Sequence, residues 1–252
     1  MLSTNPWLRT LKADPDPALR LVCFHHAGGS AGSFQSLARA FGDGIEIMAM
    51  QSPGRQERRR EPCLTRLGDI VDGVLPPVVE LADRPIVLFG HSFGAVVAFE
   101  VARRLPAAGI LPRHLFVSGR RAPSRRRLEN VHRRTDAEIR TELRLLGGPG
   151  VALLDDDEVA REFLPAIRSD YRAVETHVAE PDARVDCALT ALVGDHDPRA
   201  TVDEARAWRA HTTASFELRV FGGGHFYLVD HSDGVAAVVE RRIGTGPIGP
   251  GG

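Results

Sequence analysis

The chain has 252 residues, 43% of them hydrophobic and 26% charged, enough for one large domain with a complete core and no bias toward disorder. A formal net charge of −1 excludes a nucleic-acid binder that relies on a positive field over the whole domain. No apolar run approaches the ~18 residues of a membrane span, residues 1–16 lack a signal-peptide layout, and Cys23, Cys63 and Cys187 have no metal-like spacing, so a reduced cytoplasmic setting is expected.

Residues 1–18 read as a flexible lead-in rich in Pro and Asp. Residues 19–24 form an apolar strand that runs into the small-residue loop His26-Ala27-Gly28-Gly29, and helical spacing follows over 34–41. A second strand at 45–50 leads into Pro53-Gly54-Arg55 and a charged segment. Residues 67–81 predict a helix that Pro76 and Pro77 divide or kink. The apolar run 86–89 enters Gly90-His91-Ser92-Phe93-Gly94, and a helix follows that buries Ala95, Val96, Phe99, Ala102 and Leu105 and stops before Pro106. Residues 114–118 give the next strand.

This alternation points to a mostly parallel sheet covered by helices on both faces. It breaks over 120–184, where helical patterns at 137–146 and 156–178 flank Gly147-Gly148-Pro149-Gly150; the stretch is long for one crossover and reads as a helical lid over about 123–184. Asp155-Asp156-Asp157-Glu158 supplies a helix cap rather than a metal site. Strands at 187–193 and 216–221, with a helix at 200–212 between them and another at 232–242 after, complete a single domain over 19–242, and residues 243–252 read as a disordered tail.

Gly90-His91-Ser92-Phe93-Gly94 is a G-x-S-x-G nucleophile elbow in the context that motif needs, strand before and helix after. A serine hydroxyl needs a base, and the base needs a carboxylate to orient it and to stabilise the cation it becomes. In a parallel sheet these groups gather at strand carboxyl ends. Ser92, Asp197 and His225 each follow a strand, in the order this architecture uses. Asp195 shares a loop with Asp197 but follows Gly194 directly and suits a turn or cap, so Asp197 is preferred. The Phe93 and Ala27 backbone N–H groups are the expected oxyanion donors. His26 either supports that loop or contacts ligand; His25, His91, His177, His196 and His231 carry no assigned role.

With these residues in place the chain resembles the type II thioesterases of polyketide and nonribosomal peptide biosynthesis, a branch of the α/β-hydrolases. The resemblance spans about 19–240. It rests on Phe24-His25-His26-Ala27-Gly28-Gly29, Pro53-Gly54-Arg55-Gln56-Glu57-Arg58, the elbow, residues 164–171, Gly194-Asp195-His196-Asp197-Pro198 and Gly223-Gly224-His225-Phe226. It implies an α/β-hydrolase fold with a lid, a Ser92/Asp197/His225 catalytic set, and hydrolysis of acyl groups from the phosphopantetheine arm of acyl or peptidyl carrier proteins. No cofactor or metal, no nucleic-acid or membrane partner, and a monomer are expected. His25 departs from the family's usual Pro, which alters the approach to the oxyanion loop. Two arginine groups, Arg55, Arg58, Arg59 and Arg60 with Arg120, Arg121, Arg125, Arg126 and Arg127, offer a docking face for an acidic carrier protein. A general carboxylesterase or lipase, an acyltransferase on the same residues, and a non-catalytic carrier-binding module are the competing readings.

Overall fold

Strands β2 (Leu19–Phe24), β3 (Ile45–Met50), β4 (Ile86–His91) and β5 (His114–Ser118) are buried at every position, as mostly apolar strands are when both faces of a sheet are covered, and the two charged residues among them, Arg20 and Glu46, pair with each other at 2.7 Å. The computed structural model describes residues 5–180 and 182–244. With β1 (Leu8–Lys12), β6 (Ala188–Gly194) and β7 (Phe216–Phe221) these strands form a sheet in the order β1-β3-β2-β4-β5-β6-β7, parallel except for β1. The helices are α1 (Gln35–Arg39), α2 (Leu67–Glu80), α3 (Phe93–Arg104), α4 (Asp136–Leu146), α5 (Asp157–Glu175), α6 (Val202–Arg206), α7 (Tyr227–Asp230) and α8 (Ser232–Ile243). Alternate residues of each strand serve opposite faces. Val22, Met48 and Leu88 pack beneath α2 and α3, whereas Leu21, Ile47 and Phe89 pack against α1 and α8.

Four expectations differ from the structure. Leu8–Lys12, expected to be flexible, pairs antiparallel with β3. A register shift between Thr10 and Lys12 breaks the period of two by which a strand is recognised, and hides it in the sequence. The helix expected at 67–81 is not divided: α2 runs from Leu67 to Glu80 through Pro76 and Pro77. The two adjacent prolines remove neighbouring backbone hydrogen bonds, and burial of Ile70, Val71, Val74, Pro77 and Val78 on one face holds the helix together regardless. The expected helix at 200–212 is α6 followed by a 3-10 turn, Ala207–His211. Of the expected tail, Ile243 is buried as the last residue of α8 and Gly244 caps it; residues 245–252 lie outside the described residues.

Between β5 and β6 the chain forms α4 and α5 with a small core of their own, centred on Val131, Ile139, Leu164 and Ile167. Thr135 caps α4 reciprocally with Glu138, and Asp156 caps α5 by accepting the Glu158 and Val159 N–H groups. Arg140 and Arg144 of α4 pair with Asp157 and Asp155, so the acidic run ties the two helices together.

The elbow shows where the fold is tightest. A Cβ on Gly90 would overlap the Gly94 carbonyl, and one on Gly94 would overlap the Phe24 carbonyl at the end of β2. Gly94→Ala should therefore destabilise the protein by about 1–3 kcal/mol, because backbone atoms have to move. Gly68→Ala in α2, with nothing within 4 Å of the new Cβ, should be neutral or stabilising by up to about 1 kcal/mol. Chemical denaturation of both variants checks the contrast; equal losses would refute it.

Candidate active site

The strand-to-helix turn leaves Ser92 at φ 57° and ψ −116°, one of two non-glycine residues with positive φ among the described residues. Its own N–H is taken by the Ser118 carbonyl at 2.8 Å, which fixes the turn against β5. The loop after β7 brings in His225, 2% exposed, whose Nε2 lies 2.9 Å from Ser92 Oγ. The loop after β6 brings in Asp197, 5% exposed, whose two oxygens lie 3.0 and 2.9 Å from His225 Nδ1. A carboxylate accepts only, so Nδ1 carries the proton and Nε2 is free to accept from the Ser92 hydroxyl. Asp197 is itself oriented by the Arg199 N–H at 2.8 Å. Asp195 lies outside this line: exposed, it accepts the Gly223 N–H at 2.8 Å and pairs with His196. It anchors the glycine loop that delivers His225.

Three further imidazoles surround the set. His25 is fully buried; its Nδ1–H donates to the His26 carbonyl at 2.8 Å and its Nε2 meets Ser52 Oγ at 3.0 Å. Burial, with the nearby Arg55 charge, pushes it down to about 3. His25 thus braces the oxyanion loop from below, where a proline at this position would leave the His26 carbonyl to the Gly29 N–H alone. His26 packs edge-on against Phe226 and is pushed down to about 3 by burial and by its histidine neighbours. His91 meets Ser118 Oγ at 2.9 Å, Ser118 meets the Tyr227 hydroxyl at 2.7 Å, and the His91 ring centre is 5.1 Å from that of His225. Burial holds His91 well below the usual imidazole range. All three rings are neutral at pH 7, so none opposes a positive charge forming on His225.

The Ala27 and Phe93 N–H groups, the expected oxyanion donors, have no acceptor among the described residues and are free to donate. The loop that carries Ala27 is held from above. Asp170, on the apolar stripe of α5, accepts the Gly28 N–H at 2.8 Å and takes both arms of Arg55 at 2.7 and 3.0 Å, while Arg55 also donates to the Gly29 carbonyl at 3.0 Å. Burial alone would lower the Arg55 guanidinium, but the Asp170 carboxylate outweighs it and holds it above its ordinary value. One turn before Asp170, Ile167 sits where a Gly28 side chain would go. Sequence reasoning assigned Asp170 no role. The available signal was a carboxylate three residues after Ile167, on the face α5 otherwise fills with Ala160 and Leu164.

α4, α5 and the turn between them roof a chamber of about 410 Å³ over Ser92 and His225, walled on that side by Leu143, Leu146, Leu154, Phe163 and Ile167. The arginines offered as one docking face are divided. Arg55, Arg58 and Arg121 are buried and paired with Asp170, Glu61 and Glu129, and Arg127 is bound to Glu204, whereas Arg59, Arg60, Arg125 and Arg126 are exposed and Arg120 is half-buried. Among the described residues no helix is long and apolar enough to cross a membrane.

A family model described as a thioesterase domain matches residues 19–243. The chain is 49% identical over 237 residues to a probable cadicidin biosynthesis thioesterase of Streptomyces griseus, covering 94% of this chain and 66% of that one, so it spans about two thirds of that relative's length. It is 44% identical over 226 residues to thioesterase PikA5 of Streptomyces venezuelae, covering 89% of this chain and 80% of the relative. Among solved structures, the type II thioesterase BorB from the borrelidin biosynthetic cluster superposes with a TM-score of 0.87 at 42% identity, covering 94% of this chain and 97% of BorB.

Two outcomes are expected of these contacts. Labelling of Ser92 by a fluorophosphonate should slow roughly 10³–10⁴-fold in Asp197→Asn, where the imidazole loses its tautomer, and change little in Asp195→Asn; equal effects would remove Asp197 from the set. Asp170→Ala should cost about 3–5 kcal/mol of stability by stranding a buried guanidinium. Asp16→Ala, which breaks the exposed pair with Arg84, should cost far less by the same unfolding assay.

Proposed function

This chain belongs to the thioesterase family, and we propose that it is a type II thioesterase of polyketide or nonribosomal peptide assembly, clearing acyl groups from the phosphopantetheine arm of carrier proteins by hydrolysis. The observation that carries the reading is the apolar roof over a hydrogen-bonded Ser92–His225–Asp197 line. An acyl chain lies in the chamber while its carbonyl meets Ser92.

Ser92 Oγ attacks the thioester carbonyl and gives its proton to His225 Nε2, and Asp197 stabilises the imidazolium. The negative charge on the carbonyl oxygen falls to the Ala27 and Phe93 N–H groups; the loss of one such donor typically costs on the order of 3–4 kcal/mol of barrier. The carbon–sulfur bond then breaks, and His225 returns its proton to the departing thiol. Water, deprotonated by His225, attacks the acyl-serine and releases the carboxylic acid. Neither half-reaction requires a cofactor or metal. The partner is a carrier protein that presents the arm, and the relatives' names, with biosynthetic pathways in them, support that assignment.

Release of acyl groups from acetyl- and propionyl-carrier proteins tests the proposal. Wild-type enzyme should free the acid, and Ser92→Ala should lose roughly 10⁴-fold or more of the rate with its unfolding transition retained. Matched substrates separate the competing readings. A strong preference for the oxygen ester over the thioester points to an esterase, transfer to an added alcohol or amine in place of hydrolysis points to an acyltransferase, and carrier binding with no fluorophosphonate labelling points to a non-catalytic module.

A further inference from the structure

A second cleft, of about 290 Å³, lies between the segment after β5 and the C-terminal half of α5. Five arginines line it: Arg120, Arg121, Arg125, Arg126 and Arg127. Its carboxylates are already occupied. Glu129 accepts from Arg121 at 3.0 Å, Glu100 pairs with Arg103 at 3.0 Å, and Glu175 accepts the Val131 and His132 N–H groups at 3.0 and 3.1 Å. Arg127 is taken by Glu204 from outside the cleft. What remains is cationic. Arg120 and Arg125 have no carboxylate partner among the described residues, and Arg126 reaches only the Ala179 carbonyl, at 3.5 Å. Burial pushes the Arg120 guanidinium down to about 10, so it is still charged at pH 7; Glu129 acts on it only at longer range than an ion pair and is itself taken by Arg121 and Arg199.

The segment that lines the cleft continues from residues that touch the reacting groups. Ser118 holds the Ser92 N–H, a side chain on Gly119 would come within 3.4 Å of His225 Cε1, and Arg120 is the next residue. Val96, one helical turn beyond Ser92, is part of the same lining. On its other side Arg120 lies within electrostatic range of Tyr171, a neutral phenol at pH 7 that lines the acyl chamber. A thioester whose sulfur sits at Ser92 and whose acyl chain fills the apolar chamber must send its other end elsewhere. The one arginine lining the chamber, Arg55, is committed to Asp170. The unpaired guanidinium lies on the Gly119 side.

We propose that this cleft receives the pantetheine arm and that Arg120 binds the phosphate at its far end, with Arg125 and Arg126 at the exposed mouth. The inference rests on the thioesterase reading and adds to it the recognition of an organic phosphate ester. A charge-assisted pair in a partly desolvated cleft gives a preference for the phosphorylated arm that added salt weakens.

The test uses one acyl group on two thiols that differ only in the phosphate, pantetheine and 4′-phosphopantetheine. For the wild-type enzyme kcat/KM should favour the phosphorylated substrate by about tenfold or more, and the ratio should shrink at high salt. In Arg120→Gln the ratio should fall close to one. A wild-type ratio near one overturns the proposal without any variant having to fold, and so does an Arg120→Gln enzyme that keeps the wild-type ratio. Failure to hydrolyse either thioester would instead refute the thioesterase reading on which the inference rests.

Discussion

Everything near the reaction centre depends on how closely the end of β2 and the start of α3 approach. Gly94 lies against the Phe24 and His25 carbonyls with no room for a Cβ, and Gly90 lies equally close to the Gly94 carbonyl. This contact has two effects. It holds the turn in which Ser92 keeps a positive φ, a strain that a less crowded junction would relax. It also fixes the segment leaving β2, which carries Ala27, beside the segment entering α3, which carries Phe93. Two backbone donors from distant parts of the sequence are thereby held near one hydroxyl with no long side chain between them.

The loop that carries Ala27 is set from two other directions as well. From below, His25 donates to the His26 carbonyl and rests on Ser52; from above, Asp170 accepts the Gly28 N–H and binds Arg55. A buried ion pair is a weak source of net stability, because desolvation offsets most of its attraction. Its consequence here is geometric, since a bidentate pair admits one arrangement. α5 is therefore tied to the core along its second half. Asp170 holds the loop and Ala173 and Val174 join the main core, whereas Arg168, donating to the His132 and Arg134 carbonyls, and Glu175, accepting the Val131 and His132 N–H groups, bind within the same insertion. The segment from Leu145 to Asp157 has fewer ties and exposes Leu145 and Leu153. Any opening of the roof involves that end before the end carrying Asp170.

The sheet was readable because five of its inner strands are apolar runs bounded by glycine-rich loops, and because chemistry in a parallel sheet collects at the ends of such runs. Ser92, Asp197 and His225 could be located without knowing how the strands pair. Other features depended on information a single sequence spreads too thinly. β1 is an edge strand with a bulge, so neither burial nor alternation marks it. α2 survives two prolines through packing that propensity does not contain. The arginines looked like one basic face because linear clustering says nothing about partners: Asp170 is 115 residues from Arg55, and Glu204 is 77 from Arg127. Only the fold separates structural guanidinium groups from those left with free charge.

The protonation states around His225 follow from the same packing. His25 and His91 are buried and His26 is half-buried against Phe226, and loss of solvent is the largest influence on each. Their native values lie below the unfolded value, so the unfolded chain binds protons that the native chain refuses. Stability associated with these rings is therefore complete above about pH 6.5 and declines as the pH falls below it. In the proposed reaction, the His225 imidazolium forms beside neutral rings and a buried carboxylate. Replacing any of the three neutral rings with a permanently charged side chain would set a positive charge against the imidazolium at the moment it forms. The histidine-rich composition of this site thus depends on burial: the same residues in a wetter pocket would compete with His225 for charge, whereas here only His225 has a carboxylate partner to stabilise it.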